Sequence, residues 1–181
     1  MKVVKLHDKE FQILIPSSVI DVEIIKMADR LNKDFADSNP LFICVLNGSF
    51  MFASDLLKQI TIPGTEIAFI KISSYVGTGS TGEVKEVFGL NKDIDGRTVI
   101  ILEDIVDTGC SMDYLLQYLE KKNPANIVTA TLFFKPKALV RNIKVDYHAI
   151  ELENDFVVGR GLDYEDLGRN LPDLYILKQE E

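Results

Sequence analysis

The chain predicts an α/β protein: a mainly parallel central sheet flanked by helices on both faces. Three observations carry that prediction. Residues 41–46, 99–102 and 127–134 are apolar runs that read as buried strands. Stretches with helical spacing separate such runs, so strand, loop, helix and strand alternate. The strand at 99–102 runs into acids, hydroxyls and a glycine, the composition of a ligand loop at the carboxyl end of a parallel strand.

The elements follow in order. Residues 11–15 alternate and read as a short strand. Pro16-Ser17-Ser18 opens a helix with Ile20, Ile24, Ala28, Leu31 and Phe35 as its buried stripe, and Asp37-Ser-Asn-Pro40 stops it. After the strand at 41–46, Asn47-Gly48-Ser49 turns the chain into an apolar helix over about 50–57. Residues 66–73 and 84–90 are further strands. Asp93-Ile-Asp-Gly96 is a turn; it begins like a calcium loop but lacks the later ligands. Beyond Ser111 the pattern turns helical, with Met112, Leu115, Leu116 and Leu119 on one face. Strands at 127–134 and 147–152 complete the sheet. No repeat, linker or low-complexity segment interrupts it.

Composition bounds the function. At 181 residues and 46% hydrophobic content the chain suits one globular domain with a sizeable core. A net charge of -8 and a pI near 4.8 argue against a nucleic-acid surface. No signal-peptide core and no membrane-length apolar run is found, so the expected location is cytoplasmic with no membrane partner. Two cysteines, Cys44 and Cys110, make no disulfide framework. Cys44 reads as core, and Cys110 as an oxidation-sensitive loop filler. Neither His7 nor His148 has a context that would make Cys110 a nucleophile.

The most informative stretch is Thr98-Val-Ile-Ile-Leu-Glu-Asp-Ile-Val-Asp-Thr-Gly-Cys-Ser-Met112, read as a strand, a short oxygen-rich loop and a helix start. A helix N-terminus offers unpaired N–H groups and partial positive charge to a phosphate. Gly109 lets the backbone approach an anion, and Thr108 and Ser111 add hydroxyl donors. Glu103 and Asp104 would repel that phosphate at close range and suit sugar hydroxyls or a metal a few ångströms away. Together these describe a site for a ribose 5-phosphate. The plain alternative is a polar turn capped by Thr108 or Ser111. A second glycine-rich run, Gly77-Thr-Gly-Ser-Thr-Gly82, satisfies G-x-G-x-x-G. A strand-like pattern follows it rather than a helix, and Glu83 stands where a P-loop needs lysine.

The 98–112 segment resembles the phosphoribosyl-diphosphate signature of the phosphoribosyltransferases. Leu46-Asn47-Gly48, Ser74-Tyr75 with the loop to Lys85, Lys144 in Lys-Val-Asp-Tyr, and Phe156-Val-Val-Gly-Arg-Gly-Leu-Asp-Tyr164 follow in the family's order. Taken together the set is similar to the hypoxanthine(-guanine) branch, over nearly the whole chain. The resemblance implies the type I phosphoribosyltransferase fold as a single domain over 1–181, with a small hood from about 1–15 and 151–181. It implies Mg2+-dependent purine salvage: phosphoribosyl diphosphate and a 6-oxopurine base, hypoxanthine with guanine as a second substrate, give IMP or GMP and pyrophosphate. Self-association as a homodimer or homotetramer is implied as well.

The same resemblance distributes the roles. Asp107 would be the general acid/base on the purine ring. Glu103 and Asp104 would hold the ribose hydroxyls directly or through magnesium, with Asp163 near the metal. Thr108, Gly109, Cys110 and Ser111 would cradle the 5-phosphate, Cys110 through its backbone. Leu46, Asn47, Gly48 and Arg169 would face pyrophosphate; Asn47 stands where many relatives have lysine, and the Leu-x bond can be cis in the family. Lys144 would donate to the purine 6-oxygen, Ile105 and Phe156 would sandwich the ring, and Val157 would offer backbone groups. Residues 77–82 would be a flap with Ser74 and Tyr75 at its base, where a plain hairpin connection is the alternative. Arg160 replaces the aromatic residue common at its position. Two rivals share the fold: a regulator that senses phosphoribosyl diphosphate or nucleotides and binds RNA, and a phosphoribosyltransferase that uses xanthine.

Overall fold

A computed structural model describes residues 3–75 and 83–178, with backbone alone over 73–75 and 83–88. The elements are β1 (Val3–Leu6), β2 (Lys9–Ile15), α1 (Ser17–Asp34), β3 (Leu41–Leu46), α2 (Phe50–Leu57), β4 (Glu66–Tyr75), β5 (Glu83–Phe88), β6 (Thr98–Val106), α3 (Cys110–Glu120), β7 (Asn126–Phe134), β8 (Tyr147–Glu151), β9 (Val157–Val158) and β10 (Leu174–Leu177). The main sheet has the order β5-β4-β3-β6-β7-β8. Its strands from β4 to β8 run parallel, and β5 joins the edge antiparallel. A second sheet, β1-β2-β10-β9, is antiparallel and joins the two ends of the chain.

Period-two alternation splits the central strands between two cores. Phe42, Cys44, Ile100 and Leu102 face α1 and α2, where Ile20, Ile24, Met27, Leu31 and Phe52 cover them. Ile43, Val45, Val99 and Ile101 face α3, against Met112, Leu115 and Leu119. Burial on both faces explains why these strands read as continuous apolar runs. It also leaves the carboxyl edge of the sheet as the place where polar side chains meet. Burial pushes the Cys44 thiol up to about 12, so it behaves as core.

Three local details are set by the structure. The strand predicted at 99–102 continues to Val106, because β7 pairs with it through Glu103–Thr131, Ile105–Phe133 and Val106–Phe134. Glu103 and Asp104 therefore stand on a strand rather than in a loop. Helix α3 is capped by Gly109 in the left-handed region at φ 81, not by a Thr108 or Ser111 side chain. Helix α1 takes its cap from far away: the Ser17 amide donates to Asp173 Oδ1 at 2.8 Å. The strands β1, β9 and β10 have no counterpart in the sequence reading. They are two to four residues long, too short for a periodicity to register. The 77–82 run lies outside the described residues.

Candidate active site

The signature strand and the start of α3 enclose a pocket of about 270 Å³ lined by residues 103–112. The first intrahelical bond of α3 runs from the Asp113 amide to the Gly109 carbonyl at 2.8 Å. The Ser111 and Met112 amides ahead of it have no intrahelical acceptor and can face an anion. Gly109 is required twice over. Its φ is positive, and a Cβ there would press on Ile143 and Leu139 at 3.0 Å. Thr108 Oγ1 accepts weakly from the Cys110 amide at 3.5 Å. The Cys110 thiol is held below its ordinary value, first by a hydrogen bond with Thr108 and then by Arg141.

Glu103 and Asp104 occupy adjacent positions with Asp104 buried. The Glu103 carboxyl is pushed well above its ordinary value by burial, and by the charge of Asp104 beside it. Burial also raises Asp104, against the opposing pull of the Ile105 amide and Arg169. Two acids sharing such a site resist ionising together. Their donor set, oxygen only and short of positive charge, fits a hard divalent cation. Among the described residues no group of three or more acids, histidines or cysteines could hold a metal. The third acid expected near the metal, Asp163, pairs with Arg169 at 2.7 Å and accepts from the Asp166 amide at 2.8 Å; the same arginine's charge acts on Asp104. A magnesium ion here would take its other ligands from substrate oxygens and water, as it commonly does.

The raised pair carries a stability consequence. Between the ordinary carboxylate range near 4 and the raised folded values, the folded chain binds more protons than the unfolded one. Stability from this pair is thus present at low pH and lost as pH rises through that window. Glu103→Gln removes one buried charge. It is expected to raise the melting temperature of the ligand-free protein at pH 7.5 by on the order of 2–4 °C, the shift that about 1 kcal/mol produces in a chain of this size. The gain should shrink toward pH 4. Thermal melts across that range check it, and a lower melting temperature at pH 7.5 would contradict it.

The Leu46-Asn47-Gly48 segment begins on the last residue of β3, and its Leu46–Asn47 peptide bond is cis. Asn47 is exposed and Gly48 buried. A Cβ on Gly48 would collide with the Asp104 carboxylate, and one on Gly161 would collide with the Gly48 carbonyl. Three stretches distant in sequence therefore touch at a point where only glycine fits. Arg169 closes the group: its Nη1 donates to the Gly161 carbonyl at 2.8 Å, and its own carbonyl accepts from the Gly161 amide at 2.9 Å. Next to them Ser49 Oγ is buried without a hydrogen-bond partner.

Asp107 lies just past the end of β6, and Lys135 just past the end of its neighbour β7. Lys135 Nζ donates to Asp107 Oδ2 at 2.9 Å, with the lysine side chain only 8% exposed. Sequence reasoning misses this lysine and selects Lys144. The structure places Lys144 elsewhere. Its side chain is 85% exposed and pairs with Asp146, and its carbonyl accepts from Thr129 Oγ1. Thr129 is in register with Ile101, well short of Asp107, so Lys144 is set before the start of β8 and away from the carboxyl edge. The available signal is the Phe133-Phe134-Lys135-Pro136 context, a cation directly after an apolar strand; strand register then sets it at the level where β6 delivers its acids.

Ile105 packs against the core cluster that contains Val157. Val157 is buried in β9, paired with Ile176. Phe156 is 46% exposed, tilted against Phe11 at 6.2 Å and edge-on to Tyr164 at 5.8 Å. The backbones of Ser74 and Tyr75 extend β4 in register with Val84 and Glu83, so the expected base of the flap is strand.

A two-core α/β sheet with an anion cradle and paired acids at its carboxyl edge defines a class of nucleotide-handling enzyme, and comparison with known proteins identifies it. The phosphoribosyl transferase domain model matches residues 17–165, and the chain belongs to the phosphoribosyltransferase family. Among curated proteins it is similar to hypoxanthine-guanine phosphoribosyltransferase of Streptococcus thermophilus, 40% identical over 170 residues (93% of this chain, 94% of that one). The protein of that name from Streptococcus pyogenes is 44% identical over 156 residues, 86% of each chain. Among solved structures it resembles a hypoxanthine phosphoribosyltransferase from Staphylococcus aureus, with a TM-score of 0.87 and 34% identity over 92% of this chain and 91% of that one. A Trypanosoma cruzi hypoxanthine phosphoribosyl transferase gives the same TM-score at 32% identity, over 97% and 95% of the two chains.

Proposed function

We propose that this enzyme salvages 6-oxopurines in the cytoplasm: it transfers the 5-phosphoribosyl group of phosphoribosyl diphosphate to hypoxanthine, and to guanine as a second base. The single observation that carries the reading is the Asp107–Lys135 pair at 2.9 Å, set beside the anion cradle of α3. Relatives at 40–44% identity bear the matching name.

The sugar C1–oxygen bond to pyrophosphate breaks and the C1–nitrogen bond to the purine forms, while the ring nitrogen loses a proton. The α3 amides, Thr108, Gly109, Cys110 and Ser111 grip the 5-phosphate. Glu103 and Asp104 hold the ribose hydroxyls or a magnesium ion that, when bound, neutralises the leaving pyrophosphate. Leu46, Asn47 and Gly48 supply backbone donors on the pyrophosphate side, with Arg169 beside them. Asp107, steadied by Lys135, accepts the purine proton. Lys135 has further N–H donors and no acceptor, so it suits a 6-oxygen and disfavours the 6-amino group of adenine. Ile105 and Phe156 flank the ring, Val157 presents backbone groups, and the β1-β2-β10-β9 sheet serves as the hood. Ser74 and Tyr75 carry the flap.

The test is pyrophosphate release from phosphoribosyl diphosphate with hypoxanthine, guanine, xanthine or adenine, each with and without magnesium. Release with hypoxanthine and magnesium, and none with adenine, is expected. Equal rates on adenine would overturn the base assignment, and no release with any base would overturn the activity.

A further inference from the structure

Arg160 sits in the left-handed region at φ 52, between Gly159 and Gly161, and is 5% exposed. Its guanidinium reaches out of the turn to two helices. Nη1 bonds Asp55 Oδ2 on α2 at 3.0 Å, and Nη2 bonds Asp21 on α1. Burying a cation at such a place is costly unless it is paired, and here it is paired twice. Nothing in the reaction calls for a positive charge there, since the acids take it up.

The position of the clamp is what matters. α2 begins at Phe50, one residue after the Gly48–Ser49 turn. Gly161 follows Arg160 directly and lies against the Gly48 carbonyl. The Arg160–Asp55 pair thus holds both sides of the Gly48–Gly161 contact from behind. Arg169 bonds Gly161 at both its amide and its carbonyl, and Gly48 packs on the Asp104 carboxylate. A shift of the turn would move Arg169 and Gly48 together, relative to Asp104.

We propose that Arg160 is a positioning residue for the pyrophosphate half of the site, acting through Asp55 and Asp21 to fix the distance of Gly161 from Gly48. The inference rests on the phosphoribosyl-transfer reading. It assigns the Arg160–Asp55 pair to the sugar donor and not to the purine.

Asp55→Asn and Arg160→Lys are tested separately and together, by initial rates with each substrate varied and by pyrophosphate inhibition. Each single change is expected to raise KM for phosphoribosyl diphosphate and Ki for pyrophosphate about tenfold, while KM for hypoxanthine moves less than about twofold. The double variant should be little worse than either single one, since the pair acts as a unit. Equal movement of both KM values in step with a fall in melting temperature would reduce the clamp to a fold-stabilising contact and overturn the proposal. Unmoved donor KM in both variants would overturn it too. The wild-type assay keeps the two readings apart: transfer by the wild type with unaltered variants strikes only the clamp, whereas an inactive wild type strikes the activity itself.

Discussion

Asp107→Asn is expected to lower turnover by about 10²–10⁴-fold, the range typical of a lost general acid/base. The amide is nearly isosteric and can still accept from Lys135 through its carbonyl oxygen, so the fold should be kept. Asn cannot take the purine proton. The loss should therefore fall on kcat, with KM for phosphoribosyl diphosphate changed little, because the α3 amides and the Glu103–Asp104 pair, proposed to hold the sugar donor, are untouched. Asp107 is 46% exposed on its side chain, which leaves it open to a base entering from solvent. Steady-state kinetics alongside a thermal melt decides the point. A variant with near-native turnover would leave Asp107 as a mere partner of Lys135.

Lys135→Met is expected to cut kcat/KM for hypoxanthine by on the order of 10²-fold, the equivalent of a charge-assisted hydrogen bond of about 2–3 kcal/mol. Two effects add. The buried ammonium no longer meets Asp107, and the donors that would face a 6-oxygen are gone. Methionine keeps most of the volume, so the pocket should not collapse. The companion change Lys144→Met is expected to alter kcat/KM by less than about twofold, since an exposed ion pair such as Lys144–Asp146 carries little energy. Kinetic constants for the two variants on hypoxanthine and guanine separate the assignments. A large effect at position 144 with none at 135 would restore the choice that sequence alone favours.

The two lysines show what local sequence lacks. Lys135 follows one apolar segment and Lys144 precedes another, and that context alone does not say which of the two strand ends meets Asp107. What separates them is strand direction and register. β7 runs parallel to β6, so its far end, Lys135, arrives beside Asp107, while the near end of β8 is on the opposite edge. The acids differ from expectation more mildly. Their identity is plain in the sequence, but a strand that continues to Val106 buries Asp104 against Gly48 and raises its carboxyl, where an open loop would leave it solvated. The role of Arg160 has no local sign, because Asp21 and Asp55 lie 139 and 105 positions away.

The sequence by itself determined the strands at 41–46 and 127–134, the helix at 50–57, the turn into a helix at 108–111 and the family. Each of these is written in short-range patterns: apolar periodicity, a helix start, a glycine whose φ only a residue without a side chain readily takes. The tertiary structure alone decided which lysine meets Asp107, how Gly48, Gly161 and Asp104 touch, and that both chain ends share one sheet. Those are contacts between residues remote along the chain, and their geometry is set by sheet order and packing, which no local stretch encodes.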